Sequence, residues 1–130
     1  MSMSFFAILL LSLVLSGCDI FDPESIRARN FLPPPTYQGS VERGEVNYKN
    51  NCARCHGVDM AGTAEGPPLM NKTYGSSHHA DLSFYHAVKN GVKQHHWKYG
   101  DMPMLTGISP EEVSDIVAFV RFQQQLRGIK

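Results

Sequence analysis

The chain has 130 residues, and its 12 basic and 12 acidic side chains cancel to a formal net charge of zero. That length holds a single domain with a small core. The balance of charge excludes both the basic footprint of a nucleic-acid binder and a long acidic interaction tail.

Residues 1–17 read as an export signal. Phe5 to Leu15 is an almost unbroken apolar run of eleven residues, too short for a hydrocarbon core of about 30 Å, which takes roughly 20 helical residues. No Lys or Arg precedes the run, so only the terminal amine supplies positive charge. The run closes on Leu15-Ser16-Gly17-Cys18, which resembles the lipobox at which bacterial lipoproteins are cleaved. The resemblance implies that Cys18 becomes the lipidated first residue, and that Asp19 beside it favours retention in the inner membrane. The alternative is an ordinary buried cysteine behind a cleavable signal.

Residues 18–36 are expected to form the lipidated cysteine and a tether. Ile20-Phe21 and Phe31-Leu32 are short apolar bursts without a sustained period, and the segment closes on Pro33-Pro34-Pro35, which favours extended polyproline II. Such a tether reaches at most about 60 Å, or about 25 Å as a coil. The alternative is that the bursts pack onto the following domain.

Residues 37–130 are expected to form an all-α domain of three main helices and long loops. Ser40 opens a helix to about Asn50, and a second runs from about Ala80 to Asn90, with Asp81 in its first turn and Leu82, Tyr85 and Val88 on one face. The third has the clearest start: Ser109 as N-cap, Pro110 at the first helical position, Glu112 completing a capping box, and Ile108 and Val113 as a hydrophobic staple. Its stripe of Val113, Ile116, Val117 and Val120 recurs at helical spacing, placing it over Pro110 to Arg127. The connections Gly57–His79 and Gly91–Ile108 are too long for a domain of this size unless a buried cofactor holds them.

Cys52-Ala53-Arg54-Cys55-His56 supplies that cofactor's attachment. Two cysteines separated by two residues can take both vinyl groups of one haem edge, while the adjacent histidine reaches the iron. A redox dithiol would need a thioredoxin-like strand–helix context, and a zinc site a second Cys or His pair at ligand spacing; the remaining cysteine is Cys18.

From Val41 to Val120 the sequence resembles the class I cytochromes c. Gly44 and Tyr48 stand eight and four residues before the first haem cysteine, as in that family, where Gly allows a close helix crossing and the aromatic meets one on the last helix, here Phe119. Gly66-Pro67-Pro68-Leu69 matches the family's Gly-Pro-x-Leu element, which implies that the Pro67 carbonyl accepts a hydrogen bond from His56. Asp101-Met102-Pro103-Met104 supplies the family's Met-Pro, which implies Met102 as sixth ligand opposite His56. Met60, Met70 and Met104 are read as packing or surface residues. Trp97, with Tyr99, is expected against the haem, its indole N–H available to a propionate.

The resemblance implies a class I cytochrome c fold around one covalent haem c, held by Cys52, Cys55, His56 and Met102, with Pro67 and Trp97 in supporting roles. It also implies a one-electron carrier rather than an enzyme, on the periplasmic side of the bacterial inner membrane and anchored by lipid. Its redox partners would be a quinol-oxidising complex, a dehydrogenase, or a terminal oxidase or reductase, docking near Ala53, Arg54 and Val58. Two other classes are a haem subunit of a larger exported dehydrogenase, and haem-based catalysis or ligand sensing at a displaceable sixth site. His78-His79 and His95-His96 could meet in space and bind copper or zinc; the expectation is the plainer one, helix-end and haem-edge groups bonded to loop carbonyls or a propionate.

Overall fold

The computed structural model describes residues 22–130, so the export signal, Cys18 and the Ile20-Phe21 burst lie outside the described residues. The chain divides into residues 1–30 and residues 31–130. In the first unit, α1 (Pro23–Arg29) is a short helix that the tether reading does not contain. Its signals are local: Asp22 accepts from the Ser25 N–H at 2.8 Å, Pro23 sits at the first helical position, and Arg27 and Arg29 lie in the last turn. It buries no side chain, which is why no apolar period announces it.

The second unit carries α2 (Val41–Asn51), α3 (Ala53–His56), α4 (Asp81–Asn90) and α5 (Pro110–Leu126), with a 3-10 turn at Lys72–Tyr74. The three expected helices stand within a residue or so of their expected ends. Ser40 caps α2, and the Ser109–Glu112 capping box is present in full. Among the described residues the only β-type pairing is one antiparallel bridge, Val92 to Met102. Phe31 and Leu32 are half-buried against the core of this unit, so for that burst the packed alternative to a free tether holds.

The crossing of α2 and α5 is the main helix–helix contact. A Cβ on Gly44 would stand 2.0 Å from the Asp115 carbonyl oxygen and 2.8 Å from the Phe119 Cβ, so only glycine permits this approach. One turn on, the Tyr48 and Phe119 rings tilt against each other with centroids 5.8 Å apart, a favourable aromatic pairing. Val113, Ile116, Val117 and Val120 are all buried, as are Ile108 and Met60. On α4, Tyr85 and Val88 are buried but Leu82 is exposed. Leu82 belongs to the first turn of α4, and Phe84 packs against the core in its place.

A buried carboxylate ties the segment before α2 to α5. Asp115 accepts from Arg43 Nε at 2.9 Å, from Arg43 Nη2 at 2.9 Å, from the Ser40 N–H at 2.7 Å and from the Tyr37 hydroxyl at 2.9 Å. Burial by itself would raise the Asp115 carboxyl, but these donors outweigh it and hold the group below its ordinary range.

Both long connections are held by hydrogen bonds. In the first, the Gly62 N–H donates to the His56 carbonyl at 2.8 Å and the Thr63 hydroxyl to the Cys55 carbonyl at 2.7 Å. The second is closed by the Val92–Met102 bridge, with both N–H···O distances at 2.9 Å, and by Lys93–Asp101 at 2.5 Å. Gly91 begins it with φ of 71° and no room for a Cβ, which would meet the Met102 carbonyl at 2.6 Å.

Candidate functional site

The cysteine motif sits where α2 gives way to α3. The Cys52 N–H still donates to the Tyr48 carbonyl at 2.8 Å, and His56 closes the short α3. Tyr48, fully buried, donates its hydroxyl to the Gly57 carbonyl at 2.7 Å, so the residue that packs the helix crossing also fixes the turn behind the motif.

Neither cysteine is disulfide-bonded. Burial, with a smaller contribution from Cys55, pushes the Cys52 thiol up to about 12. Burial also raises Cys55, reinforced by its contact with Glu65 at 3.6 Å. A nucleophilic redox dithiol needs a depressed thiol pKa, so the electrostatics run against that reading of the pair.

His56 Nδ1 lies 2.8 Å from the Pro67 carbonyl oxygen. A carbonyl only accepts, so Nδ1 carries the proton and the Nε2 lone pair is left for a metal. Burial lowers the His56 imidazole, partly offset by this hydrogen bond, and the ring stays neutral as a ligand must.

Beside this imidazole lies a cleft of about 500 Å³ bounded by His56, Leu69, Val88, Met102, Val113 and Ile116, among others. Clefts that take cofactors run from about 300 to 1,000 Å³ and are mostly apolar. Cys52, Pro67 and Trp97 reach the same cleft, and Cys55 faces a smaller adjoining one shared with Cys52, His56, Pro67 and Met102. Met102 is half-buried and lines both, whereas Met104 is 58% exposed and lines neither. Met60 is buried and Met70 packs against the core.

Trp97 supplies a test of what the cleft accepts. Burial raises the Tyr74 phenol, an effect the neighbouring Trp97 indole partly offsets. Yet the indole N–H is itself buried without a hydrogen-bond partner of ordinary geometry. With Tyr74 its neighbour but no well-aligned acceptor, this donor would be completed by an acceptor brought into the cleft here. A haem propionate supplies one, and the two free thiols, the neutral imidazole and the apolar walls all fit the same group.

The docking residues divide. Arg54 and Val58 are exposed, but Ala53 is buried, because the tight turn into α3 turns it inward; it is not a surface residue of the motif. The histidine pairs, in contrast, do come together: His79 Nδ1 bonds the Thr73 carbonyl at 2.6 Å and His95 Nδ1 the Lys93 carbonyl at 2.8 Å, while His78, His79 and His96 cluster. Partial desolvation and then repulsion from His95, His79 and His78 hold the His96 imidazole below its ordinary range.

Sequence reasoning misses the residues that fix the loop ahead of α4. Arg121 donates through Nη1 to the Tyr74 carbonyl and to Gln124 Oε1, both at 2.7 Å, through Nε to Asp81 at 2.7 Å, and through Nη2 to the His79 carbonyl. Gln124, almost wholly buried, donates to the Leu69 and Tyr74 carbonyls at 3.0 Å each. Their signal is weak in sequence: two polar residues continuing an apolar helix face.

A family model described as Cytochrome c matches residues 41–123, more than half of the chain. Neither the curated proteins nor the solved structures contain a match. The matched range begins at the first residue of α2 and takes in the cysteine motif, the cleft and most of α5.

Proposed function

The chain belongs to the cytochrome c family, and from that premise we propose that it holds one haem c and shuttles single electrons between respiratory partners, tethered by lipid at the periplasmic face of the bacterial inner membrane. A haem-based electron carrier of helical class I architecture is what the family and the fold establish. The single haem, the residue roles, the anchor and the partners are the proposal.

The observation that carries the haem assignment is the convergence of three separate segments on one apolar cleft: Cys52 and His56 from the α2–α3 junction, Pro67 from the first long loop, and Met102 from the second. Cys52 and Cys55 would hold the group by thioethers, and His56 Nε2 and Met102 Sδ would ligate its iron. The haem supplies a reversible one-electron couple. The protein's own residues do the rest. The Pro67 carbonyl orients His56 and raises its basicity, Met102 as a soft thioether favours the reduced state, and Leu69, Val88, Val113 and Ile116 keep water out. With His56 and Met102 both holding the iron, no coordination position would be left for a substrate, which suits transfer of electrons alone.

Leu15-Ser16-Gly17-Cys18 supports the lipid anchor; among the described residues no helix is long and apolar enough to cross a membrane. The exposed Arg54 and Val58 border the motif and suit a small, transient docking patch for redox proteins. Potentiometric titration of the detergent-solubilised protein is the test. A single one-electron wave, with a reduced spectrum unchanged by carbon monoxide, is expected. Carbon monoxide binding would move the reading to ligand sensing or catalysis, and stable copurification with a catalytic chain would move it to a dehydrogenase subunit.

A further inference from the structure

Two loops on either side of α4 bring histidines into one group. His78 and His79 precede the helix and His95 and His96 follow it, with ring centroids 4.9 Å apart for His78–His79, 5.2 Å for His78–His96 and 5.3 Å for His79–His96. One ligand nitrogen from each of His78, His79 and His96 lies within 4.8 Å of the other two.

The spacing has chemical meaning. His78 Nε2 and His96 Nε2 stand 3.4 Å apart, beyond the 2.7–3.2 Å of a good N–H hydrogen bond. Two nitrogens that each bind one tetrahedral zinc at 2.0–2.1 Å are separated by about 3.3–3.4 Å. The pair therefore has the edge length of a metal site. His79 has its Nδ1 committed to the Thr73 carbonyl at 2.6 Å, which protonates that nitrogen and leaves Nε2 as the ligand, the usual way a carbonyl orients a metal-binding histidine.

Both loops are held in place. Arg121 binds the His79 carbonyl and Asp81 from α5. The loop carrying His96 is closed by Lys93–Asp101 and by the Gln94 N–H on Asp101 at 3.0 Å. No carboxylate belongs to the group, so its chemistry is that of an imidazole-seeking ion and not of Ca²⁺ or Mg²⁺.

We propose that His78, His79 and His96 form a three-imidazole site for a divalent late transition ion, Zn²⁺ or Cu²⁺, with a fourth position open to water or an incoming ligand. His78 and His96 are exposed and His79 is half-buried, so the ion is reached directly from solvent and exchanges. The proposal concerns a second ion, on side chains other than Cys52, Cys55, His56 and Met102, and it adjoins the electron-carrier site, since His79 and His96 also border the cleft assigned to the haem.

The test uses the haem-loaded protein, freed of adventitious metal with a chelator, titrated calorimetrically with Zn²⁺ and separately with Cu²⁺. The wild type and the variants His78→Ala, His96→Ala and, as a control on α2 at a position 58% exposed, Val46→Ala are compared, each also by its visible absorption spectrum, which reports folding and iron ligation. Saturable binding of one ion per chain is expected in the wild type and in Val46→Ala. Affinity should fall at least about tenfold in His78→Ala and His96→Ala, with the spectrum the same in all four. The proposal is overturned if the wild type shows no saturable binding, or if both variants bind as the wild type does. A changed axial-ligand spectrum in His78→Ala or His96→Ala also overturns it, since those histidines would then serve the iron; the electron-carrier reading is judged separately, by the wild-type spectrum and potential.

Discussion

His56 Nδ1 donates to the Pro67 carbonyl oxygen at 2.8 Å, and the residue before that proline has no room for a side chain: a Cβ on Gly66 would meet the Cys55 carbonyl oxygen at 2.8 Å and the Cys55 Cβ at 3.2 Å. The His56 imidazole is therefore oriented by a loop that can lie this close only because position 66 is glycine. Gly66→Ala should push Pro67 away from His56. A lower yield of haem-loaded protein and a shifted reduction potential are expected. An unchanged potential at normal yield would show that the Pro67 contact does not tune the site.

The α2–α5 crossing gives a prediction about stability alone. Gly44→Ala places a methyl 2.0 Å from the Asp115 carbonyl oxygen, and relief requires separating two backbones rather than moving a flexible side chain. Overpacking of this kind costs about 3 kcal/mol or more, read as a lowered guanidinium midpoint. Val46→Ala, on the same helix at a position 58% exposed, should change stability by less than about 0.5 kcal/mol.

Asp115 makes stability depend on acid. Its folded pKa lies below the ordinary value of 3.8, so its contribution is fully present above that value and is lost as pH falls through the folded pKa. Asp115→Asn keeps the shape but weakens four hydrogen bonds, two of them from Arg43. It should destabilise the protein by roughly 2–4 kcal/mol at neutral pH, and the gap between variant and wild type should narrow in acid. Thermal unfolding at neutral pH and near pH 3 measures both; a gap that stays constant would remove the carboxylate from the account.

The cleft lies between α4 and the first turns of α5, bordered by Phe84 and Val88 on one side and Val113 and Ile116 on the other, so its occupant would supply core. Cys52→Ala with Cys55→Ala should yield a chain carrying no haem after denaturing electrophoresis and with largely lost helical circular dichroism. A fully helical double variant would show that the protein part of the core suffices.

The fold was legible wherever the chain carries its own punctuation. Ser109, Pro110 and Glu112 announce α5, and Gly44, Tyr48 and Phe119 announce its crossing with α2, because capping and close approach each demand particular residues at fixed spacing. What stayed hidden is pairing at long range. Asp115 stands inside an apolar stripe, and nothing local says that Arg43, Ser40 and Tyr37 converge on it from more than seventy positions away. The Arg121 clamp is of the same kind, while the two histidine pairs are visible in the sequence and their meeting depends on how the loops fold back. The helix α1 has start signals in Asp22, Pro23 and Glu24 but no apolar period to set it apart from a tether, because it buries nothing.

Met102 is the residue proposed to complete the iron's coordination, and the weak charge-transfer band of a methionine sulfur on ferric haem would report it directly. Pro103 biases Met102 away from helical backbone, the bridge to Val92 anchors it, and its side chain faces the cleft, while Met104 is exposed. The band should vanish in Met102→Ala, with carbon monoxide then binding the ferrous protein and the potential falling within the roughly 0.8 V that axial ligation spans, and it should persist in Met104→Ala. A band that survives in Met102→Ala and disappears in Met104→Ala would contradict the ligand assignment, and a wild-type protein with no such band would contradict His/Met coordination altogether.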